Sequence, residues 1–147
     1  MLAPRAMKIL PASAPPTKPG PATWMTGAAW LDEIAGPDNA PGAARMARVT
    51  FSPGARTHWH IHPHGQILHV SAGVGRVQKW GEPIREIVAG DTILIAPGEK
   101  HWHGSAPDHL MSHFAVQEAG ADGQTTHWLE PVSDAEFGAK IEPQTAS

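Results

Sequence analysis

Cysteine is absent from the 147 residues, which removes disulfides, thiolate metal ligands and cysteine nucleophiles from consideration at once. A basic excess is missing too. Eleven Lys and Arg stand against 14 Asp and Glu, a formal charge of −3, the wrong sign for the basic face of a nucleic-acid binder. No apolar run approaches the length of a membrane span, and residues 1–10 hold no continuous apolar stretch of the kind a secretory signal requires. The expectation is a soluble cytoplasmic protein with neither a membrane nor a nucleic-acid partner. Hydrophobic residues at 41% and charged ones at 17% are globular proportions. A chain of this length forms one domain and buries about 70% of its unfolded surface without a staple.

Proline and histidine are unevenly distributed. Pro4, Pro11, Pro15, Pro16, Pro19 and Pro21 crowd a segment with little apolar periodicity, which resists helix and sheet interior alike. Residues 1–22 therefore read as an extended or disordered N-terminal arm, suited to lying along a partner subunit. Residues 24–34 are apolar enough for a first strand, and 36–42 form a loop marked by Pro37 and Pro41. From Arg45 onward the chain changes to short period-two runs at 45–51, 57–62, 66–71, 76–80, 84–88, 92–96, 101–104 and 110–117, closed mostly by Gly- or Pro-containing turns. Strands at this spacing predict an all-β sandwich or barrel over 23–132. Ser133 and Glu136 are the two ends of a capping box, so 133–147 should hold one short helix, to about residue 140, and a tail.

Of the ten histidines, five lie between positions 58 and 69. On a strand, alternate side chains share a face, so His58, His60 and His62 point one way and Trp59 and Ile61 the other. His101 and His103 share a face in the same manner, opposite Trp102. Imidazole nitrogen suits borderline divalent metals, and His-x-His on a strand aims two donors at one point. Several imidazoles crowded on one buried face with no metal would leave donors and acceptors short of partners. His64 and His69 fall outside this register and read as surface or interface residues, and the isolated His109 and His127 as hydrogen-bonded surface or core residues. Trp24, Trp30, Trp59, Trp80, Trp102 and Trp128 read as wall packing, subunit contacts or half-exposed strand faces, and Lys100 as a solvated charge on the face opposite His101. Gly73 and Gly75 lack the lysine and helix of a phosphate loop, and Ser105 lacks the context of a hydrolase nucleophile.

Gly54, His60, His62, Gln66 and Gly73 match the first motif of the cupins in spacing, with Gln66 where that motif carries glutamate. Gly90, Gly98 and His101 match the second motif. Its proline is displaced by one to Pro97, and Ser105 stands at its final asparagine. The chain thus resembles a compact microbial cupin. The resemblance implies a double-stranded β-helix, a jelly-roll barrel, holding one divalent transition metal per chain on His60, His62, Gln66 and His101. The wording "PGARTHWHIHPHGQ", "PGEKHWHGSAP" and "MSHFAVQE" is similar to the manganese-containing bacterial cupins that act as hydroxynitrile lyases. By that likeness His103, His113 and Gln117 would be catalytic. Ala47, Val49, Phe51, Thr57 and Leu68 would shape the substrate pocket, with His58 an added acid/base beside the ligands. The metal would be manganese, with iron, nickel, cobalt and zinc as alternatives, and the assembly a homodimer or homotetramer.

Gln66 alters the electrostatics expected of such a site. Three neutral imidazoles and a carboxamide leave a divalent ion its full positive charge, which favours anion binding and carbonyl polarisation over redox cycling. The reading is a lyase acting on a cyanohydrin or similar small carbonyl adduct. Two alternatives stay open: an oxidative cupin such as a dioxygenase, and a metal-dependent small-ligand binder without turnover.

Overall fold

The computed structural model describes residues 7–13, 15–36 and 41–142. The rest of the expected arm, the loop residues 37–40 and the tail 143–147 lie outside the described residues. Thirteen strands and one short helix are found among them. In chain order the strands begin with β1 (Lys18–Pro19), β2 (Met25–Thr26), β3 (Ala29–Ala35) and β4 (Ala44–Phe51). There follow β5 (Arg56–Thr57), β6 (His60–Ile61), the long β7 (Gln66–Lys79), β8 (Ile84–Val88) and β9 (Thr92–Ile95). The last are β10 (His101–Ser105), β11 (Met111–Glu118), β12 (His127–Trp128) and β13 (Ile141–Glu142), with helix α1 (Asp134–Phe137) before β13.

These strands make two layers that share one strand. The first layer runs β1-β3-β4-β11-β7-β9 and the second β2-β5-β10-β7-β8, with β6 against β10 and β12. All pairings are antiparallel except β13 with β8. Alternate side chains of both layers turn inward, so Met25, Val49, Phe51, Val70, Ile87 and Met111 meet in one core cluster. This is a jelly-roll barrel, all-β with a short C-terminal helix; the runs and turns implied a sandwich or barrel, and the resemblance to cupins implied the jelly roll.

β7 is the main departure from the expected strands. Two runs with a turn at Gly73 were anticipated. Instead one strand continues through 66–79, pairing with β11 and β9 up to Gly73 and with β10 and β8 from Val74 onward. Gly73 makes the change of layer possible. Its φ is +80°, and a Cβ there would lie 1.8 Å from the Leu110 carbonyl oxygen, so the backbone at Leu110 crosses where a side chain would stand. The opposite departure occurs at 57–62, anticipated as one strand. The Trp59 N–H donates to the Glu130 carbonyl and the His58 N–H to that of Trp24. The backbone changes neighbours there and breaks into β5 and β6. Within the expected arm, Lys18 and Pro19 pair with Leu31 and Trp30.

Helix α1 opens as its sequence demands. Ser133 Oγ accepts the Glu136 N–H and the Glu136 carboxylate accepts the Ser133 N–H. Phe137 lies between the Arg56 and Arg76 guanidinium groups, 4.6 and 5.0 Å from their centres. Below it Trp59, Ile84, Trp102 and Val132 form a second core cluster outside the barrel. Trp59 and Trp102 thus point away from the barrel interior, as alternation required. No helix among the described residues is long and apolar enough to cross a membrane.

Gly54 and Gly73 share a φ of +80°, but a Cβ at Gly54 would meet nothing. Gly54→Ala should therefore cost only the left-handed backbone term, about 1 kcal/mol. Gly73→Ala should cost more than about 3 kcal/mol through the added clash. Urea unfolding of the two variants checks the difference, and equal losses would show that the crossover does not depend on the missing side chain.

Candidate metal centre

β4 and β11 pair so that Val49 faces His113, Ala47 faces Ala115 and Arg45 faces Gln117; on its other side, Gln117 pairs with Gln66 of β7. The second layer brings β10 against β6, with His101 paired to His60. Between the layers lies a cavity of about 450 Å³, large enough for a small organic ligand. His60, His62, Gln66, His103, His113, Gln117, Thr57, Ala47 and Val49 all line it. His101 stands behind, its ring 4.2 Å from that of His60.

Three of the expected pocket residues do not reach the cavity surface. Phe51 is fully buried beneath it, 6.1 and 5.5 Å from the rings of His103 and His113. Leu68 belongs to a small core cluster with Ile95 and Ala115. His58 drops out because the chain breaks between β5 and β6, so alternation no longer carries across Trp59. His58 contributes its main-chain carbonyl instead, which accepts from His60 Nδ1 at 2.8 Å.

The Nδ1 partners divide the histidines into two kinds. His60 Nδ1 donates to the His58 carbonyl (2.8 Å), His62 Nδ1 to the Thr125 carbonyl (2.8 Å) and His101 Nδ1 to the Glu99 carbonyl (2.9 Å). A carbonyl only accepts, so each of these rings carries its proton on Nδ1 and presents a bare lone pair at Nε2. Gln66 is turned the same way. Its Nε2 donates to Gln117 Oε1 at 3.1 Å, leaving Oε1 facing His101 Nε2 at 3.4 Å. Two acceptors opposed in a buried site need a cation between them, and His62 Nε2 is itself buried without a partner. The donor set therefore fits a divalent metal.

His103 is of the other kind. Its Nδ1 lies 2.9 Å from His113 Nε2, so it faces a second imidazole and not the main chain, and either ring can be the donor of that bond. Its Nε2 is buried without a partner. By proximity alone, the ligating atoms of His60, His101 and His103 come within 4.8 Å of one another. His62 falls outside that group, although its ring, 4.9 Å from that of His60 and 5.4 Å from that of His101, is nearer to both than the His103 ring at 5.2 and 5.6 Å.

Burial holds these imidazoles neutral. Desolvation is the leading cause throughout, and it lowers His101 and His113 to about 4. It takes His60 and His103 well below the ordinary histidine value, aided by the neighbouring rings, and lowers His62 as well.

Sequence reasoning assigned tryptophan to packing, yet Trp24 and Trp128 also line the cavity. They stack at 5.3 Å, and the Trp128 ring lies 4.7 Å from that of His60. Pro15, Pro16 and Lys18 complete the wall from the N-terminal side. No local signal marked any of these, because the strand pairings that carry them there are long-range. The remaining histidines stand apart: His64, His69, His109 and His127 are exposed, with His69 bonded to Thr92 and His109 to Asp108. Lys100 pairs with Glu130 and lies over the Trp80 ring.

Comparison with known proteins places these features in context. A family model described as a cupin domain matches residues 47–114. The (R)-mandelonitrile lyase of Granulicella tundricola is 48% identical over 119 residues, covering 80% of this chain and 88% of that protein. The crystal structure of a cupin-like protein from Thermotoga maritima superposes with a TM-score of 0.75 at 34% identity, covering 89% of this chain and 95% of that one. A cupin barrel protein from Rhodopseudomonas palustris shares the fold at 16% identity, with a TM-score of 0.61 over 77% of this chain and 76% of that one.

The neutral cluster makes the metal-free protein sensitive to acid. Unfolded histidine takes up its proton near pH 6.5, whereas His101 and His113 resist until about 4. Their contribution to stability is complete above pH 6.5, falls as the pH drops through that window, and is spent below about 4. Thermal unfolding of chelator-treated protein should show the midpoint decline between these limits. A midpoint unchanged from pH 7 to 4.5 would contradict the buried neutral cluster.

Proposed function

The chain belongs to the cupin family, and from that premise we propose that it is a metal-dependent lyase that cleaves and forms cyanohydrins, with His60, His62, Gln66 and His101 holding the metal and His103 acting as base. The division of Nδ1 partners carries this reading. Rings whose protons are tied to main-chain carbonyls are oriented as ligands, while a ring bonded to another imidazole is free to exchange its proton. The similarity to the Granulicella tundricola (R)-mandelonitrile lyase supports the substrate class. A divalent ion in this site would supply Lewis-acid polarisation of the cyanohydrin oxygen or the nitrile, with no carboxylate ligand to reduce its charge. Manganese is the ion expected, and iron, nickel, cobalt and zinc are compatible with the same donors.

The residues around it would divide the remaining work. His103 Nε2 takes the hydroxyl proton as the carbonyl forms, and the bond to the nitrile carbon breaks with its electron pair leaving on cyanide. The proton then passes to cyanide, so that aldehyde and hydrogen cyanide are released. His113 holds the His103 ring through the 2.9 Å hydrogen bond, and Gln117, already bonded to Gln66, orients the departing cyanide. Thr57 Oγ accepts the His103 N–H at 3.2 Å and keeps the β10 backbone in place. Ala47 and Val49 leave room for the organic group.

A homodimer or homotetramer formed by sheet packing is part of the same proposal. Leu94 and Ile67 are exposed cross-strand neighbours on the outer face of the first layer, with the half-buried Val116 beside them.

Metal-loaded protein should release benzaldehyde from mandelonitrile and lose that activity to a chelator. His103→Ala should retain metal and lose about 10²–10⁴-fold in rate, whereas His62→Ala should lose the metal. Metal content by elemental analysis separates the two donor sets. If His103→Ala loses the ion and His62→Ala keeps it, the ligands are His60, His101 and His103. No benzaldehyde from fully loaded wild-type protein would remove the lyase assignment.

A further inference from the structure

The loop from β9 to β10 reaches His62, His101 and the residue before Gln66. Ala96, Pro97, Gly98 and Glu99 form a reverse turn, closed by the Glu99 N–H donating to the Ala96 carbonyl at 3.2 Å. Proline stands second and glycine, at φ +77°, third, as a type II turn requires. The Glu99 carbonyl accepts the His101 Nδ1 proton at 2.9 Å. The Gly98 N–H donates to the His62 carbonyl at 3.1 Å, and the same carbonyl takes the Gly65 N–H at 3.2 Å. Gly65 is pressed against this loop so closely that a Cβ there would lie 2.6 Å from the Ile95 carbonyl oxygen and 3.3 Å from the Pro97 nitrogen.

The Glu99 side chain holds that turn shut. Its Oε2 accepts the Ala96 N–H at 3.0 Å, so Glu99 is tied to Ala96 through its main chain and its side chain together. Its Oε1 lies 3.0 Å from Lys79 Nζ, and Lys79 is the residue paired with His101 between β7 and β10. The Ala96 hydrogen bond and then the lysine keep the carboxyl below its ordinary range, so it is ionised at neutral pH. Glu99 is not part of the cavity wall. It acts on the donor set from behind, through the peptide whose oxygen meets His101.

We propose that Glu99 is a positioning residue of the metal centre, its side chain fixing the turn whose carbonyl sets the tautomer of His101. The effect on the metal rests on the reading of His101 as a ligand and is independent of the lyase chemistry. An imidazole released from its carbonyl can carry its proton on Nε2 instead, and a protonated Nε2 cannot coordinate. Loss of an outer partner of a ligating histidine costs about 10–100-fold in metal affinity. The carbonyl itself survives substitution of the Glu99 side chain and loses only its fixed direction, so the lower end of that range is expected for Glu99→Ala. A carboxamide can still accept the Ala96 N–H, so Glu99→Gln should lose less.

Two measurements test this: ring ¹⁵N spectra of metal-free, histidine-labelled protein at neutral pH, and isothermal titration with Mn²⁺. Wild-type His101 should be a single tautomer with its proton on Nδ1. Glu99→Ala should show a mixture of tautomers at His101 and bind Mn²⁺ about tenfold more weakly, with Glu99→Gln between it and wild type in both readouts. Ser133→Ala removes the side-chain cap of α1 and serves as the control for general destabilisation. It should lower the unfolding midpoint and leave the His101 tautomer and the Mn²⁺ affinity as they are in wild type. An unchanged tautomer in Glu99→Ala would overturn the positioning role. So would an unchanged affinity in a chain that binds the ion, or both shifts appearing equally in Ser133→Ala. Wild-type protein that binds no Mn²⁺ while the tautomer still shifts in Glu99→Ala removes the ligand reading and leaves the hold on His101 standing.

Discussion

Three main-chain carbonyls, those of His58, Glu99 and Thr125, each take a proton from an imidazole Nδ1, and the chemistry of the centre follows from that constraint. A histidine in water chooses either tautomer; one tied to a carbonyl has no choice. Once His60, His62 and His101 are fixed in this way, their lone pairs have one direction left. Gln66 is held to the same purpose by Gln117, which accepts one of its amide protons and leaves its oxygen facing the gap. Burial reinforces the arrangement, because a desolvated imidazole resists the proton that would otherwise occupy the lone pair. His103 is desolvated like the others and differs in its partner: its Nδ1 meets the Nε2 of His113 and not a carbonyl.

The barrel supplies this constraint through backbone placed where it can accept. The Thr125 carbonyl reaches His62 because the segment before β12 folds over the cavity. The Glu99 carbonyl precedes β10 and meets the His101 ring two residues on. The His58 carbonyl is available because the chain leaves its strand at Trp59. That break, which removes the His58 side chain from the pocket, also creates the carbonyl that orients His60. The continuity of β7 has the complementary effect. One unbroken strand carries Gln66 in the first layer and the partners of His101 and His103 in the second, so the two halves of the donor set are held by a single rigid element.

The cavity is polarised along its length. Its inner end collects neutral imidazoles and carboxamides, Glu33 and Arg45 stand further out along β3 and β4, and Lys18 lies on the edge strand level with Leu31 and Val49. The N-terminal segment belongs to this design, since Pro15, Pro16 and Lys18 form part of the wall. Trp24 and Trp128, stacked beside His60, combine packing with exposure to the cavity, so an assignment to one role or the other does not describe them.

Much of this was legible along the chain, because it depended on alternation and local turn chemistry. Period-two runs between glycine and proline turns define β strands, a serine and a glutamate three apart define the opening of α1, and His101-x-His103 places two imidazoles on one side of a strand that stays straight. The same reasoning failed at His58, where alternation presumes a continuous strand and the hydrogen bonds to Trp24 and Glu130 interrupt it. It failed in the other direction at Gly73, where a glycine that ordinarily marks a turn instead lets a strand cross between layers beneath Leu110. Which nitrogen of each histidine faces the cavity, which of Phe51, Leu68 and Val49 touches it, and that Lys18 stands beside Leu31 were decided only by tertiary structure. Each depends on a main-chain partner or strand neighbour far away in sequence, and a local pattern carries no information about a hydrogen bond that closes only when the barrel does.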